Sequence, residues 1–249
     1  MKEKFYLNNK KILITGASSG IGRATAVLLA ELGADLILCG RNKERLIETK
    51  SLLKENTHTV LTFNLLKEEE INSALDTLQL KLDGIVLNAG IVDYKPVSFI
   101  KEDHINELFS INYKSNIYII KKIYKDKKIN KGGSITFLSS IAAISGTPAT
   151  LVYASTKGAI NSMVKVLALE FSKRKIRVNS ILPGLVRTPL LDNDEEMIKA
   201  KYDEIEKTYP LGFGQPDDVA YLIAFLQSDA SSWITGSHYT IDGGATIPK

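Results

Sequence analysis

The chain has 249 residues, a formal net charge of +4 and 24% charged residues. Its 44% apolar content is ordinary for a folded globular protein. One cysteine, Cys39, excludes a disulfide framework within the chain, and three scattered histidines argue against a metal cluster. No segment approaches the roughly 18 uninterrupted apolar residues of a membrane span, and the N-terminus lacks a signal-peptide pattern. We therefore expect a cytoplasmic protein without membrane, nucleic-acid or metal partners.

Short aliphatic runs alternate with longer amphipathic segments along the whole chain. The predicted strands are residues 11–15, 35–39, 59–63, 84–88, 134–139, 177–182 and 237–241. The predicted helices are residues 22–32, 42–55, 68–80, 102–125, 151–173 and 217–226. This alternation predicts a single-domain α/β fold of Rossmann type, with a doubly wound parallel sheet of about seven strands and helices on both faces. The charged segment around 190–212 is predicted to form a lid over the substrate.

The first predicted strand runs into a glycine-rich turn, TGASSGIG, that opens the first helix. Such a turn lets the backbone approach a pyrophosphate, which binds the amides at the positive end of the helix. Glycines also close ordinary turns, but the strand before and the helix after favour a dinucleotide site. The spacing is G-x-x-x-G-x-G rather than the commoner G-x-G-x-x-G. The predicted contacts are Gly16, Ser18, Ser19, Gly20, Ile21 and Gly22.

The second predicted strand is followed by Gly40 and Arg41, where many dinucleotide sites carry an acidic residue for the ribose 2′-hydroxyl. A guanidinium there pairs with a 2′-phosphate through two parallel hydrogen bonds, whereas a carboxylate repels it. Arg41 therefore predicts NADPH as the cofactor, with NAD the weaker candidate. The alternative is that Arg41 is a solvated residue at the start of a helix.

Tyr153 and Lys157 lie four residues apart near the start of a predicted helix and so share one face. A free tyrosine has a pKa of about 10 and is a poor proton donor at neutral pH. A neighbouring ammonium favours the phenolate and is expected to lower that pKa. The tuned phenol would protonate a carbonyl, or deprotonate an alcohol in reverse. Taken alone, the Y-x-x-x-K spacing is common by chance on helix surfaces.

Several motifs occur together in the order and spacing of the short-chain dehydrogenase/reductase family, which the chain resembles over essentially its whole length. They are Thr15 to Gly22, Leu87-Asn88-Ala89-Gly90, Asn112, Ser139-Ser140, Tyr153 to Lys157, Leu182-Pro183-Gly184, Ile234-Thr235-Gly236 and Asp242-Gly243-Gly244.

The resemblance implies a catalytic set of Asn112, Ser140, Tyr153 and Lys157. Tyr153 is then the acid/base and Lys157 also holds the nicotinamide ribose. Ser140, thirteen residues before the tyrosine, binds the substrate oxygen, with Ser139 as the alternative. Asn112 anchors a water relay to Lys157.

The resemblance also implies the rest of the cofactor site. Val186 supplies backbone and Thr188 a side chain to the nicotinamide carboxamide. Asn64 stands where the family usually has an aspartate near the adenine, and an amide can still bond the adenine amino group. The remaining contacts implied are Leu65, Asn88, Ala89, Gly90, Pro183 and Gly184, together with Tyr153 and Lys157.

These features predict NADPH-dependent reduction of a ketone to a secondary alcohol. The general pattern is similar to 3-oxoacyl-carrier-protein reductases, so an acyl-carrier-linked substrate is one expectation and a free small-molecule carbonyl the other. Lys131 and Arg174 are expected to flank the pocket entrance and steer an acidic carrier. The alternatives are an NAD-dependent sugar, polyol or steroid alcohol dehydrogenase and a catalytically inactive nucleotide-sensing protein. A homotetramer is expected, and Trp233 is expected to pack beside the last strand.

Overall fold

The computed structural model describes residues 2–54, 57–192 and 202–247. Seven strands form one sheet in the order β3-β2-β1-β4-β5-β6-β7, and every pair of neighbours is parallel. The strands are β1 (Lys11–Thr15), β2 (Asp35–Gly40), β3 (Thr59–Thr62), β4 (Leu82–Leu87), β5 (Ile129–Leu138), β6 (Arg177–Pro183) and β7 (His238–Ile241). The predicted fold class is confirmed.

Helices cover both faces of the sheet because the inner strands carry mostly apolar side chains on both faces, and each face must be shielded from water. They are α1 (Gly20–Glu31), α2 (Lys43–Ser51), α3 (Glu68–Asp76), α4 (Glu102–Phe109), α5 (Ser115–Lys125), α6 (Leu151–Glu170), α7 (Pro189–Asp192), α8 (Tyr202–Glu206) and α9 (Pro216–Gln227). One core cluster contains Leu13, Ile85 and Phe137, and the other contains Ile12, Val86 and Ile181. Neighbouring residues of a strand thus point into different cores.

β1 pairs with β2 on one side and with β4 on the other, so the strand order reverses direction there. Open parallel sheets bind ligands at such a switch point, outside the carboxyl ends of the strands. The segments that follow β1, β4, β5 and β6 meet at this edge and form one large cleft. The fold therefore gathers the motifs at one place.

The predicted helix 102–125 is in fact two helices joined by a π-helical turn over Ser110–Lys114. Side chains satisfy two carbonyl groups of this turn. Ser115 Oγ donates to the Ile111 oxygen at 2.6 Å, and Asn116 Nδ2 donates to the Asn112 oxygen at 2.8 Å. Such π turns occur frequently at functional sites, and this one carries Asn112.

β5 begins at Ile129, five residues before the predicted start at 134. The sequence Asn-Lys-Gly-Gly at 130–133 is typical of a turn, yet it belongs to the strand. The register with β4 shifts between Leu82 and Gly84, and Gly132 has φ +83°. The irregularity accommodates the extra residues as a bulge.

Trp233 does not pack beside the last strand, because its side chain is 99% exposed. Of the predicted lid 190–212, α7 and α8 are described, whereas 193–201 lie outside the described residues. Among the described helices, none has the length and apolar character needed to cross a membrane.

Candidate active site

The glycine-rich turn between β1 and α1 is built for close approach of the backbone. Gly16 and Gly20 have φ of +66° and +50°, which side chains disfavour. A Cβ on Gly22 would overlap the Gly16 carbonyl oxygen and lie 2.6 Å from Asn88 Nδ2. The turn therefore brings the N-terminus of α1 close to the end of β1 and to the segment after β4, and Ser19, Gly20 and Ile21 at this N-terminus line the cleft, where a pyrophosphate could bind.

Gly22→Ala is expected to weaken dinucleotide binding and to lower the free energy of unfolding by about 1–3 kcal/mol, because the new methyl group collides with backbone. The matched control is Gly158→Ala in α6, where an added Cβ meets nothing within 4 Å. That change should leave binding intact and stabilise the helix by roughly 0.5–1 kcal/mol. Thermal unfolding and cofactor titration of both variants check this. Equal behaviour of the two variants would contradict the packing argument.

The segments after β2 and β3, where the sequence predicts adenosine contacts, form one part of the cleft. Arg41 is exposed and precedes α2, which Asn42 caps by accepting a hydrogen bond from the Arg45 amide at 2.8 Å. Asn64 and Leu65 line the cleft. The Asn64 oxygen accepts from the Leu66 amide at 3.0 Å, so it already stabilises its own turn. One lone pair of that oxygen remains for an adenine amino group.

Asn88 joins the turn after β4 to the glycine-rich turn. Its side-chain amide donates to the carbonyl oxygens of Thr15 and Gly16 at 3.2 and 3.3 Å. In the other direction, the amides of Asn88 and Ala89 both donate to Thr15 Oγ1 at 3.1 Å. Thr15 thus contributes to the site, although sequence analysis did not single it out. Its position in the TGxxxGxG motif was the available signal.

The segment after β6 closes the other side of the cleft. Pro183, Gly184, Val186 and Thr188 all line it, and a Cβ on Gly20 would lie 3.2 Å from the Thr188 side chain. The segment is held by a short parallel bridge between Val186 and Gly214.

Tyr209 also holds this segment, because its hydroxyl accepts from the Leu185 amide at 3.2 Å. Its ring would lie 2.9 Å from a Cβ on Gly184. Sequence analysis missed Tyr209, since no local pattern links residues 24 positions apart.

Ser140 and Tyr153 converge at the carboxyl end of β5. The Ser140 hydroxyl accepts from the Ala142 amide at 3.1 Å and hydrogen-bonds the Tyr153 side chain. The adjacent Ser139 is buried, and its hydroxyl donates to the Lys157 carbonyl oxygen at 3.0 Å. The structure therefore places Ser140, and not Ser139, beside the phenol.

Lys157 lies behind the tyrosine ring. Its Nζ is 5.6 Å from the centre of the Tyr153 ring and donates to the Leu138 carbonyl oxygen at 2.9 Å. Burial lowers the pKa of Lys157 to about 8. Burial raises the pKa of Tyr153, and the Ser140 hydrogen bond opposes this only in part. This direction is opposite to the lowered phenol pKa expected from the sequence, because desolvation of the phenolate outweighs the stabilising contacts.

Asn112 is fully buried and its side chain is occupied by protein groups. Its Oδ1 accepts from the Ile91 amide at 2.8 Å, and its Nδ2 donates to the Ile91 oxygen at 2.9 Å and to Thr156 Oγ1 at 3.2 Å. Asn112 therefore fixes the loop after β4 to α6. A water relay to Lys157 could use the second lone pair of Oδ1 or that of the main-chain oxygen, since each oxygen accepts one hydrogen bond from the protein.

The cleft has a volume of about 740 Å³ and two chemically different halves. Glycines and small polar side chains line the half against α1, which fits a dinucleotide because bulkier residues would fill it. Space is limited near Gly90 as well, since a Cβ on this residue would lie 3.1 Å from Asn112 Oδ1. The other half is mainly apolar, lined by Val92, Tyr94, Ile141, Leu185, Leu190, Leu191, Tyr202 and Ile205.

Comparisons with known proteins agree with this geometry. The model of the family described as Enoyl-(Acyl carrier protein) reductase matches residues 16–246. The chain is 37% identical to a 3-oxoacyl-(acyl-carrier-protein) reductase of Rickettsia felis, over 96% of this chain and 97% of the relative. A 3-oxoacyl-(acyl-carrier-protein) reductase of Thermotoga maritima is 35% identical, with 97% and 99% covered.

Solved structures show the same similarity. A short-chain type dehydrogenase/reductase from Mycobacterium marinum superimposes with a TM-score of 0.88 at 28% identity, over 99% of both chains. A short-chain dehydrogenase/reductase described as a glucose/ribitol dehydrogenase, from Brucella melitensis, gives 0.89 at 31% identity, over 98% of this chain and all of that one. The chain belongs to the short-chain dehydrogenase/reductase family and is an NAD(P)-dependent oxidoreductase acting on carbonyl and alcohol groups.

Proposed function

We propose that the protein reduces a ketone to a secondary alcohol with NADPH and that Tyr153 is the proton donor. The contact between Ser140 and Tyr153 at the junction of the two halves of the cleft carries this proposal. A carbonyl oxygen placed there would accept hydrogen bonds from both hydroxyl groups. A bound nicotinamide dinucleotide supplies the hydride.

The remaining steps fall to the protein. Tyr153 gives its proton to the carbonyl oxygen, and Ser140 holds that oxygen in place. Lys157, still mostly protonated at neutral pH, stabilises the phenolate that results. Asn112 holds the loop that carries Gly90 and Ile91. A phenol with a raised pKa is protonated at neutral pH, which is the state that a proton donor needs.

The same proposal assigns the cofactor contacts. The glycine-rich turn, Arg41 and the segments after β3, β4 and β6 would bind NADPH, and Tyr153 and Lys157 would meet its nicotinamide ribose. The support is their common position along one cleft. These residues are Gly16, Ser18, Ser19, Gly20, Ile21, Arg41, Asn64, Leu65, Asn88, Ala89, Gly90, Pro183, Gly184, Val186 and Thr188. Gly22, also predicted as a contact, does not line the cleft but is buried against Gly16 and Asn88.

Arg41→Ala is expected to weaken NADPH binding by roughly 1–3 kcal/mol, the scale of a charge-assisted hydrogen bond, and to leave NADH binding little changed. The reason is that only NADPH carries a 2′-phosphate for the guanidinium. Fluorescence titration of both dinucleotides measures the effect. Lys50→Ala, in the exposed last turn of α2, is the matched control for loss of one positive charge. Equal wild-type affinities for NADPH and NADH would rule out the proposed preference.

For the substrate, we propose a 3-oxoacyl group, and two relatives described as 3-oxoacyl-(acyl-carrier-protein) reductases support it. The mainly apolar half of the cleft suits an acyl chain. Lys131 and Arg174, however, do not flank the entrance of the cleft in the same chain, contrary to the expectation from the sequence. Lys131 lies near the start of β5, and an Arg174 nitrogen donates to the Ile129 oxygen, whereas Ser139 and Ser140 follow the other end of that strand. From Lys131 to Ser139 and Ser140 the chain advances by up to roughly 26–30 Å at about 3.3 Å per residue.

Absorbance at the NADPH band tests the reaction with three substrates: acetoacetyl-carrier protein, an acetoacetyl thioester without carrier, and a crotonyl thioester. We expect oxidation of NADPH with both keto substrates and none with the crotonyl thioester. A faster rate on the carrier substrate supports carrier recognition, and equal rates favour a small-molecule ketone. Reduction of the crotonyl thioester alone would overturn ketone reduction in favour of C=C reduction.

We also propose that the protein is cytoplasmic and that it forms a homotetramer; large apolar side chains left exposed support the association. Trp233 and Leu211 are among them, and Val166 and Leu169 are exposed on α6. Surface patches of this kind mark association sites. The apolar side chains of Ile160, Val164 and Phe171 do not contribute to such a surface, since they are buried in the core. A monomer mass by light scattering at micromolar concentration would contradict the tetramer.

A further inference from the structure

The loop between β4 and α4 lines the cleft with Gly90, Ile91, Val92 and Tyr94, whereas Asp93 and Lys95 are not part of the lining. Asp93 lies between Val92 and Tyr94 in the chain, so a contact that holds Asp93 constrains both of its neighbours.

Hydrogen bonds to the main chain hold this loop at two points. Ile91 exchanges hydrogen bonds of 2.8 and 2.9 Å with the Asn112 side chain. The Lys95 amide donates to the Ala149 oxygen at 2.8 Å, next to the residue before α6. Asp93 lies midway between these two points, and its side chain makes a further contact.

The Asp93 carboxylate lies against His104 of α4. His104 Nε2 is 2.8 Å from Asp93 Oδ2, and the His104 side chain is only 9% exposed. Neither ring nitrogen has a well-aligned hydrogen-bond partner among the described residues. A polar ring buried in this way requires a polar contact, and Asp93 provides it. Lys95 Nζ also approaches the carboxylate, at 3.1 Å, but that pair is 39% and 38% exposed and is screened by solvent.

We propose that His104 and Asp93 are a positioning pair that fixes Val92 and Tyr94 and so determines how the carbonyl substrate fits. Neither residue touches the reacting atoms. The pair acts on the wall of the substrate half and leaves the dinucleotide half unaffected. This inference rests on the ketone reductase function for its substrate effect, but the ordering of the loop is independent of any activity.

The first experiment follows amide hydrogen exchange in the wild type and in His104→Leu, without substrate. Exchange at residues 91–95 should become about fivefold faster or more, because local stability there depends on few buried contacts. Exchange in β4 and α6 should not change. Unchanged exchange at 91–95 would overturn the proposal, whatever the protein catalyses.

The second experiment separates KM from kcat in NADPH-dependent reduction of an acetoacetyl thioester. His104→Leu should raise KM for the thioester about tenfold, because the loop that carries Val92 and Tyr94 loses its buried polar contact, with kcat and NADPH affinity within about twofold. His104→Gln, which keeps an N–H donor, should restore most of the KM. Lys95→Met, which keeps the main-chain anchor, should change KM by less than about threefold.

Asp93→Asn combined with His104→Leu should be no worse than His104→Leu alone, since both changes break one contact. Additive effects, or equal losses in NADPH affinity, would overturn the positioning role. Loss of loop order without any change in KM would show that Val92 and Tyr94 do not contact the substrate, and would overturn the substrate part of the proposal. A wild type that reduces no ketone would reject the proposed function and leave the exchange experiment to decide the pair.

Discussion

Tyr153→Phe should lower kcat for ketone reduction by about 10²–10⁴-fold, the usual contribution of a positioned proton donor. The substitution removes the hydroxyl that bonds Ser140 and keeps the ring beside Lys157. The dissociation constant for NADPH should change by less than about threefold, because at most one hydrogen bond to the cofactor is lost. Single-turnover kinetics and a cofactor titration measure the two quantities separately.

The matched control for Tyr153→Phe is Tyr221→Phe, which removes a hydroxyl from an exposed tyrosine of α9. It should have wild-type kinetics. If Tyr153→Phe kept a large share of the wild-type rate, the proton donor would have to be another group. Ser140 would then be the next candidate, since its hydroxyl shares the hydrogen bond.

Lys157→Met should damage both turnover and cofactor binding. Loss of the ammonium removes the stabilisation of the phenolate, and we expect kcat to fall by about 10²–10⁴-fold. Binding of NADPH should weaken by roughly 1.5–3 kcal/mol through loss of charged hydrogen bonds to the ribose. The Leu138 carbonyl oxygen also loses the donor that lies 2.9 Å away, so the melting temperature should fall as well. Lys165→Met, at an exposed position of the same helix, is the control.

The wild-type pH profile provides an independent check on Lys157. Burial lowers its pKa to about 8, so the ammonium is present below that pH and is lost as the pH rises through it. The rate of reduction should therefore decline on the alkaline side with an apparent pKa near 8 in the free enzyme. The raised pKa of Tyr153 keeps the phenol protonated over the same range. A rate that stayed constant to pH 10 would show that the charge of Lys157 is not required.

The fold could be predicted from the sequence because its signals are local. Buried parallel strands such as β1 and β2 contain continuous aliphatic runs, and amphipathic helices separate the strands. Errors arose where local preference and tertiary context disagree. The glycine pair in β5 is typical of a turn, but pairing with β4 draws it into the strand. The 102–125 helix is interrupted at Asn112, because buried side chains take over its backbone hydrogen bonds.

The sequence by itself determined the fold class, the glycine-rich turn and the pairing of Tyr153 with Lys157. The alternation of strands and helices indicates the fold, and helical spacing puts the two side chains on one face. Only the tertiary structure decided which serine meets the phenol, because β5 and α6 approach each other through packing rather than through proximity along the chain. It also decided that Lys131 lies near the amino-terminal end of β5, away from Ser140, and that the Asp93 carboxylate lies beside the His104 ring. Contacts between distant segments depend on strand register and on which side chains pack together, and neither leaves a periodic pattern in the sequence. The catalytic and glycine-rich motifs of this chain can therefore be recognised in its sequence, whereas the walls of the substrate pocket depend on long-range packing.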